Sequence, residues 1–81
     1  MLQSIIEDYG DEPILIADGF DSAVIGIATD FTLPRLIYSV SKCLAILGDD
    51  MDEEDALEYF TFNVSGAYVG ENTPIWCWDM Y

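Results

Sequence analysis

Sixteen acidic side chains meet only two basic ones in this 81-residue chain, and that imbalance constrains its folding more than any other feature. At a formal net charge of −14, nearly every carboxylate must stay in water, because an unpaired buried charge costs more than a small domain can offset. Yet 52% of the residues are apolar and 14% aromatic, which separates the chain from disordered acidic segments. The expectation is one domain, residues 1–81, with one modest core inside a shell of acids and no room for a deep substrate cleft.

The same composition removes whole classes of function. The absence of histidine rules out His-based acid–base catalysis and His-containing metal sites. One arginine and one lysine cannot neutralise a run of phosphates, which excludes direct binding to nucleic acid or to an anionic membrane. Cys43 and Cys77 lie far apart, without the spacing of a redox or metal motif. The stretch from Met1 to Asp8 lacks the basic start and long apolar run of a signal peptide, and no apolar run approaches the ~20 residues that span a bilayer. These features point to a soluble, cytoplasmic protein with reduced thiols, Cys43 serving as buried filler.

Apolar periodicity predicts the elements. Leu2, Ile5, Ile6 and Tyr9 form a helical stripe over 2–9, with Gly10 as its stop. Residues 14–17 and 22–28 read as strands, and the intervening Asp18-Gly19 reads as a hairpin turn. Gly26, inside the second strand, marks a bulge or a close backbone. From Leu33 the apolar positions 36, 37, 40, 43, 44 and 47 predict a helix over 34–47, with Pro34 at its start, Gly48 at its end, and Arg35 and Lys42 on one side. Asp52 is the N-cap of a further helix whose stripe is Leu57, Phe60, Val64 and Ala67, running to about Val69 and ended by Gly70. Residues 71–74 are turn chemistry, and 75–78 form a terminal strand with Trp76 and Trp78 on one face and Ile75 and Cys77 on the other. The order α-β-β-α-α-β implies an α+β fold, a three-stranded and mainly antiparallel sheet with helices on one face.

Acidic density is the strongest functional signal. Asp49, Asp50, Asp52, Glu53, Glu54, Asp55 and Glu58 crowd into ten positions with no base among them. A solvated, well-capped helix start accounts for Asp52, Glu53 and Asp55. The rest repel one another at helical spacing, Glu54 against Glu58 for instance. One explanation is that these carboxylates imitate the phosphates of a nucleic acid and enter the basic groove of a nucleic-acid-binding protein. An EF-hand fails on inspection, because counting from Asp50 the obligatory glycine is Asp55 and the closing glutamate is Thr61. No cofactor or metal is expected. Ser39, Ser41 and Cys43 lack a base to activate them, so no catalytic residue is assigned.

The aromatics are the second signal. Phe60 is core by spacing, whereas Tyr59, Phe62 and Tyr68 fall off that stripe. Trp76 and Trp78 either close the core or form an exposed aromatic patch of the kind found at interfaces.

Two segments carry a family resemblance: Asp18-Gly19-Phe20-Asp21-Ser22-Ala23-Val24-Ile25-Gly26, and the run from Glu58-Tyr59-Phe60-Thr61-Phe62-Asn63 through Gly66-Ala67-Tyr68 to Thr73-Pro74. They resemble short, acidic, mostly uncharacterised proteins encoded by tailed bacteriophages and related mobile elements. The Trp76-Cys77-Trp78 tail lies outside that pattern. The resemblance implies an accessory protein acting in the bacterial host cytoplasm, and it carries no catalytic residue.

The combined expectation is a non-enzymatic inhibitor that binds a host nucleic-acid-processing protein. Its partner-binding residues would be Asp49, Asp50, Asp52, Glu53, Glu54 and Glu58, with Trp76 and Trp78 as candidate aromatic contacts. The alternative is a self-associating scaffold protein joined through Trp76, Trp78, Tyr81 and strand edges, and a homodimer is compatible with either.

Overall fold

The central strand of the sheet occupies residues for which apolar periodicity predicts a helix. In the computed structural model, which describes residues 1–30, 32–68 and 70–81, the elements are α1 (Leu2–Tyr9), β1 (Val24–Ala28), β2 (Arg35–Ser39), α2 (Val40–Leu47), α3 (Glu53–Tyr59) and β3 (Ile75–Cys77). The α+β class and the order α-β-β-α-α-β match expectation, but the identity of the strands differs.

The helix expected over 34–47 divides at Ser39. Leu36, Tyr38 and Val40 are all fully buried, so a two-residue alternation lies hidden inside the 3.6-residue stripe, and the two patterns share Leu36 and Val40. Pairing with β1 decides between them, helped by the strand preference of Ile37 and Tyr38. Ser39 then caps α2, its Oγ accepting from Lys42 N at 3.1 Å. Arg35 and Lys42 consequently lie on different elements rather than on one helix side.

The expected strand over 14–17 is absent. Around Pro13 the Ile14 N–H turns back onto the Glu12 carbonyl at 2.8 Å, a three-residue turn. Ala17 sends its N–H to the Tyr38 hydroxyl at 2.7 Å instead of to a strand. Asp18-Gly19 is still a turn, with Gly19 at φ 92°, but it leads into a 3₁₀ turn (Asp21–Ala23) and then β1, so no hairpin forms there. The bulge anticipated at Gly26 is present, as the β1/β2 register slips between Val24 and Gly26.

Among the described residues the sheet runs β1-β2-β3, antiparallel between β1 and β2 and parallel between β2 and β3. It is therefore mixed rather than mainly antiparallel, because α2 and α3 form a crossover long enough to return the chain in the same direction. Register places Val24, Leu36, Tyr38 and Trp76 on one face. Against that face pack Ile5 of α1, Val40 and Cys43 of α2, and Phe60 and Val64, forming one continuous core. Cys43 is fully buried there, and burial, with a smaller contribution from the Asp79 charge, pushes its thiol up to about 11.

The last expected helix is regular only to Tyr59. A π-helical stretch (Phe60–Val64) and a 3₁₀ turn (Ser65–Ala67) follow. Hydroxyl groups bond back onto the helix here, where they compete for its carbonyls: Thr61 Oγ1 donates to the Leu57 carbonyl at 2.9 Å, and Ser65 Oγ to that of Thr61 at 3.3 Å. Leu57 and Ala67 are exposed rather than core, and Ala56 is buried in their place. The expected helix end at Val69 lies outside the described residues.

Tyr38→Phe tests how the loop before β1 is held. It leaves the buried Ala17 N–H without its acceptor, so urea denaturation should show a loss of about 1–3 kcal/mol.

Candidate functional site

Asp79 builds the site, although nothing in the local sequence marks it. Its Oδ2 accepts from the fully buried Ser39 hydroxyl at 2.5 Å, and its Oδ1 from Ser41 N at 3.0 Å. The Ser39 and Ser41 hydroxyls are themselves 3.0 Å apart. These contacts, the Ser39 hydroxyl first, hold the Asp79 carboxyl down at about 2, against an ordinary 3.8. They also pin the segment after β3 to the start of α2, so that Trp78 and Met80 lie beside α2 and α3.

The acids follow from the capping chemistry of α3. Asp52 Oδ1 accepts from Asp55 N at 2.8 Å, which makes Asp55 part of the cap, as the sequence implies. Glu53, Glu54 and Asp55 occupy the first turn, where negative charge complements the helix dipole. Asp49 and Asp50 precede them in the turn after α2, and Glu58 follows a turn later; all seven acids are exposed. Arg35 is on β2, where its Nε donates to the Thr73 carbonyl at 2.6 Å, and Lys42 is in the first turn of α2.

This acidic ridge has apolar hollows on both flanks. One is a groove of about 660 Å³ whose apolar lining is Leu44, Leu57, Trp78, Met80 and Tyr81, and whose charged lining is Asp52, Glu53 and Glu54. The other, about 480 Å³, is lined by Met51, Tyr59, Phe62 and Asn63 with Asp55 and Glu58. Phe62 stands 72% exposed on the π-helical stretch. Asp50 instead borders a smaller cleft, about 330 Å³, with Tyr59 and Tyr68.

The two tryptophans take different depths. Trp76 is half-buried, its ring 5.2 Å from Tyr38, 5.4 Å edge-on from Phe60 and 6.1 Å from Tyr68. Trp78 touches Phe60 edge-on at 5.9 Å and is 43% exposed. Both rings are on one side, as alternation requires, but Trp76 belongs with the core and only Trp78 reaches the acidic groove. The structure thus unites Asp52, Glu53 and Glu54 with Trp78 and leaves Asp49 and Trp76 outside. Leu44, Leu57 and Met80 are the lining residues that sequence reasoning missed; the exposure of Leu57 contradicts its place in the stripe.

Among the described residues, no helix is long and apolar enough to cross a membrane, and no group of three or more acids or cysteines could hold a metal ion. Comparison with known proteins returned nothing: no family model, no curated protein and no solved structure matches the chain.

Two predictions follow from this geometry. In urea, Trp76→Ala should cost roughly 3 kcal/mol, whereas Trp78→Ala should cost about 1 kcal/mol, the worth of one edge contact. Asp79→Asn should be less stable than the parent at neutral pH. Because the folded Asp79 carboxyl titrates low, its contribution is complete above about 3.8 and fades as the pH falls towards about 2. The gap in urea midpoints between parent and variant should therefore close over that interval.

Proposed function

We propose that this protein is a non-enzymatic, phage-type accessory protein of the bacterial cytoplasm that inhibits a host nucleic-acid-binding protein or nuclease, its acidic ridge imitating nucleic-acid phosphates. One observation carries the reading: seven exposed carboxylates, Asp49 to Glu58, share one turn and helix, while the two basic residues lie on other elements. Such a surface attracts a basic groove over a distance set by salt, about 8 Å at physiological ionic strength. Like-charge repulsion along α3 is a cost that capping alone does not require, since Glu54 and Glu58 take no part in the cap. The resemblance to acidic phage proteins supports the same reading by analogy.

Self-association is the second reading, and the joint exposure of Trp78, Met80 and Tyr81 favours it. Charge reversal separates the two: Glu53→Lys, Glu54→Lys and Glu58→Lys together should leave the sedimentation of a scaffold assembly unchanged and abolish capture of a mimic's partner.

The deciding experiment captures partners from bacterial lysate on the tagged protein and elutes them with rising salt. The expected partner is a nucleic-acid-processing protein whose affinity falls roughly hundredfold or more between about 50 and 200 mM salt. Combined Glu53→Lys, Glu54→Lys and Glu58→Lys should abolish capture, and bound protein should displace the partner's nucleic acid. A partner held equally well at high salt would sink the mimic reading.

A further inference from the structure

The groove beside the ridge is wrong for a purely electrostatic contact. Its floor brings Leu44 from α2, Leu57 from α3, and Trp78 and Met80 from the C-terminal segment into one apolar surface. A second hollow of about 500 Å³ continues it, sharing Leu44, Met80, Asp52 and Glu53 and adding Ala45, Gly48 and Met51. Every charged side chain lining the two is acidic: Asp52, Glu53 or Glu54. The floor remains accessible, Leu57 being 42% and Met80 45% exposed.

We propose that this trough receives an amphipathic basic helix of a partner protein, apolar side chains on the floor and Lys or Arg against the acidic rim. The chemistry selects that occupant over others. A nucleic acid or an acidic peptide meets three rim carboxylates and repulsion. A second copy of the chain brings a further charge of −14 to the same rim. A basic segment without apolar residues satisfies the rim but leaves Leu44, Leu57 and Trp78 in water. A helix carrying apolar residues at three- and four-residue spacing, with basic residues between, satisfies both at once. The proposal rests on the reading that the partner's surface is basic. It adds that the surface carries apolar anchors, and it locates where they seat.

The test uses three synthetic peptides of about 18 residues, about five helical turns. One has leucines at helical spacing and lysines elsewhere; the second is a scramble of the same composition; the third is an oligolysine of equal charge. Each is titrated into the intact protein at physiological ionic strength, with tryptophan emission and methyl NMR as readouts. The patterned peptide should bind roughly tenfold or more tighter than either control. It should shift the methyl signals of Leu44, Leu57 and Met80. Leu57→Gln, at a position exposed enough to keep the native circular dichroism, should remove most of that preference while leaving weak, salt-sensitive oligolysine binding. Met80→Gln reads the C-terminal part of the floor in the same way. Equal affinity for all three peptides, shifts confined to the Tyr59 and Phe62 side, or indifference to both substitutions would overturn the proposal. Failure of nucleic-acid mimicry would appear instead as a captured partner that keeps its nucleic acid, with the peptide preference intact.

Discussion

Tyr38 ties the three strands and the loop before β1 to one another. It lies in the central strand, fully buried, with its ring against Trp76 of β3 and its hydroxyl on the Ala17 N–H. Register sets it opposite Val24 on one side and Trp76 on the other, so a single side chain spans all three strands. In a chain this acidic, a neutral hydroxyl is a fitting group for tying a loop to the core. It satisfies a buried backbone donor without importing charge, and burial pushes its own ionisation further from neutrality. The Asn72 side chain, donating to the Pro13 carbonyl at 2.7 Å, fastens the same loop from the C-terminal side.

One residue beyond Tyr38, a second set of contacts converts strand into helix. Ser39 ends β2, accepts the Lys42 N–H, and donates to Asp79 forty positions away. Cap and C-terminal segment are therefore one structure: the acid that stabilises the start of α2 also sets the outer wall of the groove. Here an acidic residue stabilises the fold through neutral donors, in a chain where ion pairs are limited by the supply of cations. Asp52 does the same at α3 with the Asp55 N–H.

What could be read in the sequence was what local chemistry decides. Helix α1, the Asp52 cap, the Gly26 bulge, the core position of Phe60 and the terminal strand all follow from spacing or from one residue's conformational preference. Strand β2 did not, because residues 36 and 40 fit both periods and only pairing with β1 separates them. The run 14–17 has strand composition, but its backbone is claimed by a turn at Pro13 and by a tyrosine from another element. The π-helical stretch, near which the Thr61 and Ser65 hydroxyls bond back onto carbonyls, leaves the apolar pattern unchanged. The acids of the candidate site were visible as composition. The groove was not, since Leu44, Leu57, Trp78 and Met80 come from three separate segments, brought together by an aspartate no local pattern singles out.

The acidic ridge and the apolar groove also solve a problem for each other. An accessible floor of leucine, methionine and tryptophan invites non-specific association. Carboxylates along its edge raise the cost of every approach by an acidic or neutral surface, while a basic one is steered in. Specificity of this kind is a difference between affinities, and the repulsive contribution matters as much as the attractive one. Without the floor, seven carboxylates would bind any cationic surface weakly and release it with salt; without the rim, the floor would accept any apolar one. On the proposed reading, the two together admit only surfaces that are basic and apolar at once, a much smaller set than either property defines alone.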